Sequence, residues 1–439
     1  MKTMNLGAVV MAAGLGTRMR SDVPKHLHPL LGRRMVDWVL EAVRELGVDP
    51  LVVVTSAGSA EGFDGLDVAV QAEPLGTGDA VRSARADLEG RAEDVLVLSG
   101  DTPLLRADGL RELVEQHRST RSWVTVLSFE PDDPGQYGRI VRGEDGRLLA
   151  IVEAGDATPE QLAVREVNSS IYVFRAERLW PVLERIKPHN VQGELYLTDS
   201  IALFVAEGGS VAVHNGGRPV ETEGVNTRAE LAAAAAALRD RINEEHMLAG
   251  VTIVDPESTW IDADVTIARD AVIHPFTVIR GASEIASGAE IGPHAVVVDA
   301  TVGESVRVGP FCYLRPGTVL EAGSKAGTFV EIKNSRIGEG TKVPHLSYLG
   351  DADVGSDTNI AAGNITVNLD HETRQKERTV IGRNVRTGVD NAFVAPVTIG
   401  DDAWIAAGSV ITEDVPPNAL AIARAKQVNK EGRGGKRHD

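Results

Sequence analysis

The chain has 439 residues, with 45 Lys+Arg against 63 Asp+Glu and a formal net charge of −18. Its length exceeds one ordinary core and implies about two or three domains; its charge disfavours nucleic acid or an anionic membrane as a partner, yet allows a local basic pocket. A single cysteine, Cys312, excludes an internal disulfide framework and a Cys-rich metal site, and no stretch reaches the roughly 18 apolar residues of a membrane span.

The first apolar run, LGAVVMAAGLG, lacks a charged leader and enters a glycine loop directly, so it reads as a strand and not as a signal peptide. With one cysteine, this predicts a cytoplasmic protein. The loop from Met11 to Lys25, MAAGLGTRMRSDVPK, fits neither a Walker loop nor a dinucleotide fingerprint. It still holds glycines that let backbone N–H groups close on an anion, with Arg18, Arg20 and Lys25 nearby. Two readings stay open on these residues alone: a cradle for a phosphate-bearing ligand, or a tight strand-to-helix turn with solvated cations.

PLVVVTS, VAVQAE and DVLVLSGD are further strands, whereas MVDWVLEAVRELG and ADGLRELVEQHRS carry apolar residues at helical spacing. Buried parallel strands separated by helices predict a doubly wound, Rossmann-like α/β sheet over residues 1–228. Ligands of such sheets lie beyond the carboxyl ends of the strands, where the glycine loop and Asp101 both fall. Asp101 alone reads equally as the N-cap of the next helix. Residues 229–249 form an alanine-rich connecting helix.

A period of six governs residues 250–439. Ile261, Ile267, Ile273, Ile279, Ile285, Ile291 and Val297 keep strict register; Val302, Val308, Leu314, Leu320, Ala326 and Ile332 continue it after a skip. The count restarts at Ile337, Val343 and Leu349, then at Val354 and Ile360, with late turns at Ile399, Ile405 and Ile411. One aliphatic per hexad predicts a parallel β-helix whose aliphatics stack inside. Residues 366–379 drop the register and read as a projecting loop, open to a ligand or neighbouring chain or else a solvated insertion.

AAGLGTRMRSDVPK, QAEPLGTGDA, SGDTPLL, YGRIV, IVEAGDAT, GELYLTD and EGVNTR, followed by RPGT, FVEIKNSRIGEGTKVPHLSYLGDADVG and ALAIAR, occur in this order over almost the whole chain. In these motifs the sequence resembles the bifunctional N-acetylglucosamine-1-phosphate uridylyltransferase and glucosamine-1-phosphate N-acetyltransferase family of bacterial cell-wall precursor synthesis. The resemblance implies a left-handed β-helix, a homotrimer with acetyl sites shared between chains, and Mg²⁺ as cofactor. It implies that Met11, Ala12, Ala13 and Gly14 meet UTP through their backbone beside Ser99 and Gly100, that Arg18 and Lys25 face its phosphates, and that Gln71, Gly76 and Thr77 select uracil. Gly138, Glu153 and Asn168 would bind the sugar, and Asp101 and Asn226 would hold Mg²⁺, a hard ion suited to few protein oxygens plus phosphate and water.

For the second half the resemblance implies His345 as the general base of acetyl transfer, with Arg315 and Lys333 on the sugar phosphate and Tyr348 and Asn359 positioning the acceptor. Ala362, Asn368, Ala407 and Arg424 would bind acetyl-CoA. The substrates implied are UTP, glucosamine 1-phosphate, N-acetylglucosamine 1-phosphate and acetyl-CoA, with no nucleic acid and no membrane insertion.

Several positions depart from the family pattern. Ser99 stands where many relatives have Tyr, and VNSS replaces the usual Asn-Thr-Gly. Asn368, Leu369, Asp370 and His371 replace Asn-Tyr-Asp-Gly in a loop two residues longer, and Val389 replaces Ser. Leu369 lacks the hydroxyl of Tyr and His371 takes positive φ less readily than Gly, so weaker or altered acetyl-CoA binding is expected. The basic, glycine-rich tail KQVNKEGRGGKRHD reads as disordered, with a contact to CoA phosphates as the alternative. Two other functions fit parts of the pattern: a sugar-nucleotide transferase with a purely structural β-helix, and a non-catalytic regulatory subunit.

Overall fold

A computed structural model describes residues 5–14, 16–216 and 219–431. The chain divides into two compact units, Met1–Ala237 and Leu238–Asp439. The division falls inside the helix Arg228–Leu248, the alanine-rich segment of the sequence.

The first unit is built on a nine-stranded sheet. Its strands are β1 Leu6–Ala12, β2 Leu51–Ser56, β3 Asp67–Gln71, β4 Asp94–Ser99, β5 Val124–Phe129, β6 Arg139–Arg142, β7 Leu148–Val152, β8 Val167–Arg175 and β9 Val211–Asn215. The order is β9-β5-β8-β4-β1-β2-β3, with β6 pairing β8 and β7. Strands β4, β1, β2 and β3 are mutually parallel. Alternation explains why β1 is apolar throughout: Ala8 and Val10 enter the core under the helices Met35–Arg44 and Ala107–Thr120, while Val9 enters the opposite core with Leu179, Ile201 and Phe204.

In one respect the sheet differs from the all-parallel expectation: β8 runs antiparallel to both β4 and β5. The chain reaches β8 through the antiparallel pair β6–β7, and an antiparallel neighbour needs no helical crossover.

The second unit is a triangular prism of short parallel strands in three main stacks, as in a left-handed parallel β-helix. Ile261, Ile279, Val297, Leu314, Ile332 and Leu349 succeed one another up one stack, one coil apart. Every aliphatic of the six-residue register is buried. The interruption is shorter than the sequence suggests. Ile365–Val367 and Thr379–Ile381 are both coil strands, with Thr366 and Ile381 buried, so the insertion is confined to 368–378.

At one corner of the prism non-glycine residues repeatedly adopt positive φ: Phe276 at 58°, His294 at 53°, Phe311 at 53°, Phe329 at 56° and Leu346 at 47°. Left-handed backbone costs such residues about 1–2 kcal/mol each. Coil-to-coil hydrogen bonds hold them there, Phe329 N–H to the Phe311 carbonyl at 3.1 Å among them. Their rings stack at 4.8, 4.8 and 5.3 Å from Phe276 to Phe329. The ladder faces outward, with Phe329 56% and Leu346 63% exposed.

Candidate active site

The carboxyl ends of β1 and β4 lie side by side, and just beyond them the Gly100 N–H donates to the Met11 carbonyl at 2.8 Å. A cleft of about 430 Å³ opens there. Met11, Ala12, Ala13, Gly14, Gly16 and Thr17 form one wall; Lys25, His26, Gln71, Pro74, Gly76, Thr77, Ala80, Ser99, Gly100, Asp101 and Glu194 complete it. The loop needs glycine at Gly16, whose φ is +59° and whose Cβ would come 2.5 Å from the Cβ of Lys25. Gly76 is under a similar constraint: φ is +111°, and a Cβ would lie 2.7 Å from the Leu195 carbonyl oxygen. The turn around Gly76 is clipped to that segment by Leu195 N–H to the Leu75 carbonyl at 2.7 Å and Leu197 N–H to Thr77 Oγ1 at 2.9 Å.

Lys25 is the centre of the polar network. Its ammonium pairs with Asp101 and donates to Asn226 Oδ1 at 2.8 Å. Burial alone would raise the Asp101 carboxyl, but Lys25, with a hydrogen bond from Ser99, holds it below the usual carboxylate range. Asn226 is fixed in turn by its side-chain N–H to the Gly224 carbonyl at 3.1 Å and its backbone N–H to Glu230 Oε2 at 2.6 Å. Tyr137 accepts the Gly224 N–H at 3.1 Å. Arg18 does not line the cleft that holds Lys25; it lines a cavity of about 670 Å³ with Tyr137, Glu223, Gly224 and Asn226.

Glu153 lies in another cavity, of about 1030 Å³, with Asp156, Tyr196, Thr198 and Asp199. Burial raises its carboxyl, opposed by the Thr198 hydroxyl, which donates at 3.1 Å. Burial and surrounding carboxylates push the Tyr196 phenol up to about 12. Gly138 leaves room beside Glu153, since a Cβ there would meet Glu153 Oε2 at 3.3 Å. Asn168 donates its backbone N–H to the Gly138 carbonyl at 2.9 Å and its side-chain N–H to the Tyr172 hydroxyl at 2.7 Å.

Asp101 and Asn226 offer two hard oxygens that already converge on one cation, the Lys25 ammonium. Such a donor set suits Mg²⁺ completed by phosphate and water. Among the described residues no group of three or more His, Cys, Asp and Glu could hold a metal by protein ligands alone.

In the second unit Arg315 and Lys333 follow the buried Leu314 and Ile332 on successive coils, and Tyr348 precedes Leu349 on the next. A third cation joins them from the inserted loop: Lys376, followed by desolvation and then Arg315, lowers the Lys333 ammonium from its usual value. Arg315 donates to Glu331 at 2.8 Å. His345 ends the strand Lys342–His345 at the corner before Tyr348, paired with Thr328 and exposed. Asn359 bridges Lys342 and Arg386 on the face that carries the His345 strand.

Ala362, Val389 and Ala407 continue, on later coils, the corner that carries Leu346. The Asp390 N–H donates to the Ala362 carbonyl at 2.9 Å, Gly408 N–H to the Val389 carbonyl at 2.8 Å, and Arg424 to the Ala407 carbonyl at 2.7 Å. Asn368 stands at the foot of the insertion, its amide donating to Asp351, while Arg378 secures the other foot on Asp353.

Residues 8–194 match the MobA-like NTP transferase domain. The chain is 47% identical over 449 residues to the bifunctional protein GlmU of Caldanaerobacter subterraneus, with 97% of each chain covered. It is 46% identical to that of Trichlorobacter lovleyi, again with 97% of each covered, and 43% identical to that of Geobacter metallireducens, with 98% of each covered. The chain belongs to the GlmU family of bifunctional proteins.

Against the GlmU-family pattern, the insertion behaves differently from its sequence reading in one detail. His371 is not at positive φ; the left-handed residue is Arg374, at 57°. The longer loop closes through the Leu369–Lys376 bridge and the turn capped by Asp370, so no strain falls on His371. Leu369 and Val389 are 41% and 45% exposed. The basic tail reading falls largely on residues 432–439, which lie outside the described residues.

Sequence reasoning passed over Tyr137, Tyr196, Thr198, Glu230 and Lys376. Only Glu230 carried a local signal: Thr227 and Glu230 form the reciprocal Thr-x-x-Glu cap, with Glu230 N–H to Thr227 Oγ1 at 3.2 Å and Thr227 N–H to Glu230 Oε2 at 3.1 Å.

His26, beside Lys25, gives the site a pH dependence. Burial first, then the Lys25 charge, lowers its imidazole to about 4 against the partial opposition of Asp101. A histidine depressed on folding contributes stability above its unfolded value near 6.5, and that contribution is lost as pH falls from there toward 4. The thermal midpoint is therefore expected to fall between pH 7.5 and 5, and His26→Gln to reduce that fall; His28, lowered in the same direction by burial, retains its own share. An identical pH slope in the variant would remove His26 from the effect.

Proposed function

We propose that the chain makes UDP-N-acetylglucosamine for cell-wall synthesis in two reactions: acetyl transfer from acetyl-CoA to glucosamine 1-phosphate, then uridylyl transfer from UTP to N-acetylglucosamine 1-phosphate with release of pyrophosphate. The observation that carries this reading is the Lys25 ammonium bridging Asp101 and Asn226 beside the glycine loop.

In the uridylyl reaction an oxygen of the sugar phosphate attacks the α-phosphorus of UTP, and the bond to pyrophosphate breaks. Two anions must approach in line, so the protein's task is to position them and offset charge. The loop Ala12 to Gly14 cradles the triphosphate and Lys25 offsets its charge, Arg18 adds positive charge from the neighbouring cavity that Asn226 also lines, and Gly138, Glu153 and Asn168 orient the sugar. Mg²⁺, held by Asp101 and Asn226, supplies electrostatic stabilisation of the phosphates when bound.

In the acetyl reaction the amine of glucosamine 1-phosphate attacks the thioester carbonyl carbon, and CoA leaves as thiolate. His345 takes the proton that the amine must lose, a role that typically supplies ~10²–10⁴-fold. Arg315, Lys333 and Lys376 gather positive charge for the sugar phosphate, which supports a catalytic β-helix over a purely structural one. Tyr348 and Asn359 position the acceptor, and Ala362, Asn368, Ala407 and Arg424 receive acetyl-CoA, with Leu369 and Val389 altering that contact.

Cytoplasmic location belongs to the same proposal, supported by the single, buried Cys312. So does a homotrimer. The exposed ladder from Phe276 to Leu346 supports it, as an apolar strip ending beside His345 that a second copy would cover. Sedimentation equilibrium at three times the chain mass is the expected result, and a monomer would contradict it.

Separate sites predict separable losses. Asp101→Ala should lower uridylyl transfer by at least roughly 10²-fold and leave acetyl transfer near its starting rate; His345→Ala should do the reverse. Pyrophosphate release and CoA thiol release read the two rates, and a folded variant that loses both would contradict two independent sites.

A further inference from the structure

The Gln71 side chain is held from behind in a way that fixes what it can offer a ligand. Its Nε2 donates to the Gly76 carbonyl at 3.0 Å and to Asp79 Oδ2 at 3.0 Å. Both partners can only accept: one is a peptide carbonyl, the other a carboxylate whose remaining oxygen pairs with Arg82 at 2.5 Å. The orientation of the amide therefore follows from chemistry and not from an arbitrary choice of O and N. Turning it over would set Oε1 against two acceptors. With both donors engaged inside the protein, Oε1 is the group left to the cleft that Gln71 lines.

We propose that Asp79 is a positioning residue for base selection: it locks the Gln71 amide so that the nucleotide pocket presents a hydrogen-bond acceptor at that point. Asp79 lies on the short helix Thr77–Ser83 with its side chain 12% exposed, too enclosed for water to substitute freely for the carboxylate. A base carrying an N–H at the facing position satisfies the acceptor, as the imide of uracil does. Cytosine presents a lone pair at its equivalent nitrogen, and two acceptors would then face each other. Leaving such a pair unmatched in an enclosed site is what makes polar discrimination strong. The proposal rests on the uridine-nucleotide reading above and adds a residue that never touches the nucleotide.

Asp79→Asn tests it, because that side chain can donate as well as accept and so releases one of the two constraints on Gln71. Equilibrium binding of UTP and CTP to the full-length protein is measured alongside pyrophosphate release with N-acetylglucosamine 1-phosphate. The UTP-to-CTP preference of the unaltered protein should fall about tenfold in the variant, by weaker UTP and stronger CTP binding together; loss of one charge-assisted hydrogen bond warrants a change of this size. General structural damage would weaken both nucleotides alike. Asp79→Glu, which keeps an acceptor-only side chain, should restore the preference in part.

An unchanged preference in folded Asp79→Asn overturns the lock. So does an unaltered protein that binds UTP and CTP equally. Clear preference for UTP with no pyrophosphate release would instead overturn the uridylyl-transfer reading while leaving the lock supported.

Discussion

A largely buried carboxylate must find a positive partner, and in this protein that requirement gathers the whole nucleotide site. Lys25 reaches Asp101, 76 positions along the chain, and Asn226, 201 positions along it. Stranding one partner of a buried ion pair costs about 3–5 kcal/mol, so the glycine loop, the end of β4 and the start of the long helix are held to one point. The same triad presents two oxygens around a cation, a donor set that suits Mg²⁺ completed by phosphate and water. In the reaction proposed above, the same three side chains would meet a catalytic need as well as a structural one.

The second unit solves a different problem. Most coil faces bury one aliphatic, with Thr366 and Thr387 taking that place on later coils, so the interior is repetitive. Function is left to what projects outward at the corners. There Arg315, Lys333 and the loop residue Lys376 collect charge, while His345 ends the strand of the preceding face. The insertion 368–378 is anchored at both feet by ion-assisted contacts, Asn368 on Asp351 and Arg378 on Asp353, which lets a polar segment project from a regular solenoid without disturbing the coils on either side.

Much of this architecture was legible because periodicity is a direct record of burial. Every aliphatic picked out by the six-residue spacing is buried, although the spacing passed over Ile253 and Ile381, and apolar runs identified β1, β2, β3 and β4. Strand direction was not legible: the apolar run 171–174 of β8 carries nothing that distinguishes antiparallel from parallel pairing. Pairings such as Lys25 with Asn226 depend on loop closure over long separations, which local patterns do not encode. Lys376 and Asp79 escaped notice for another reason: each reads as an ordinary charge until the fold sets it against Lys333 or Gln71. The extent of the insertion was overestimated because Thr366 and Thr379 are polar yet buried, satisfying coil positions that a hydrophobic pattern misses.

Nucleotide binding should rearrange the Asp101–Lys25–Asn226 junction. Crystals grown with UTP and Mn²⁺, measured at the manganese absorption edge, should show the anomalous peak against the oxygens of Asp101 and Asn226, with the Lys25 ammonium displaced onto the triphosphate. A metal and nucleotide lodged elsewhere, with the Lys25–Asp101 pair undisturbed, would contradict it.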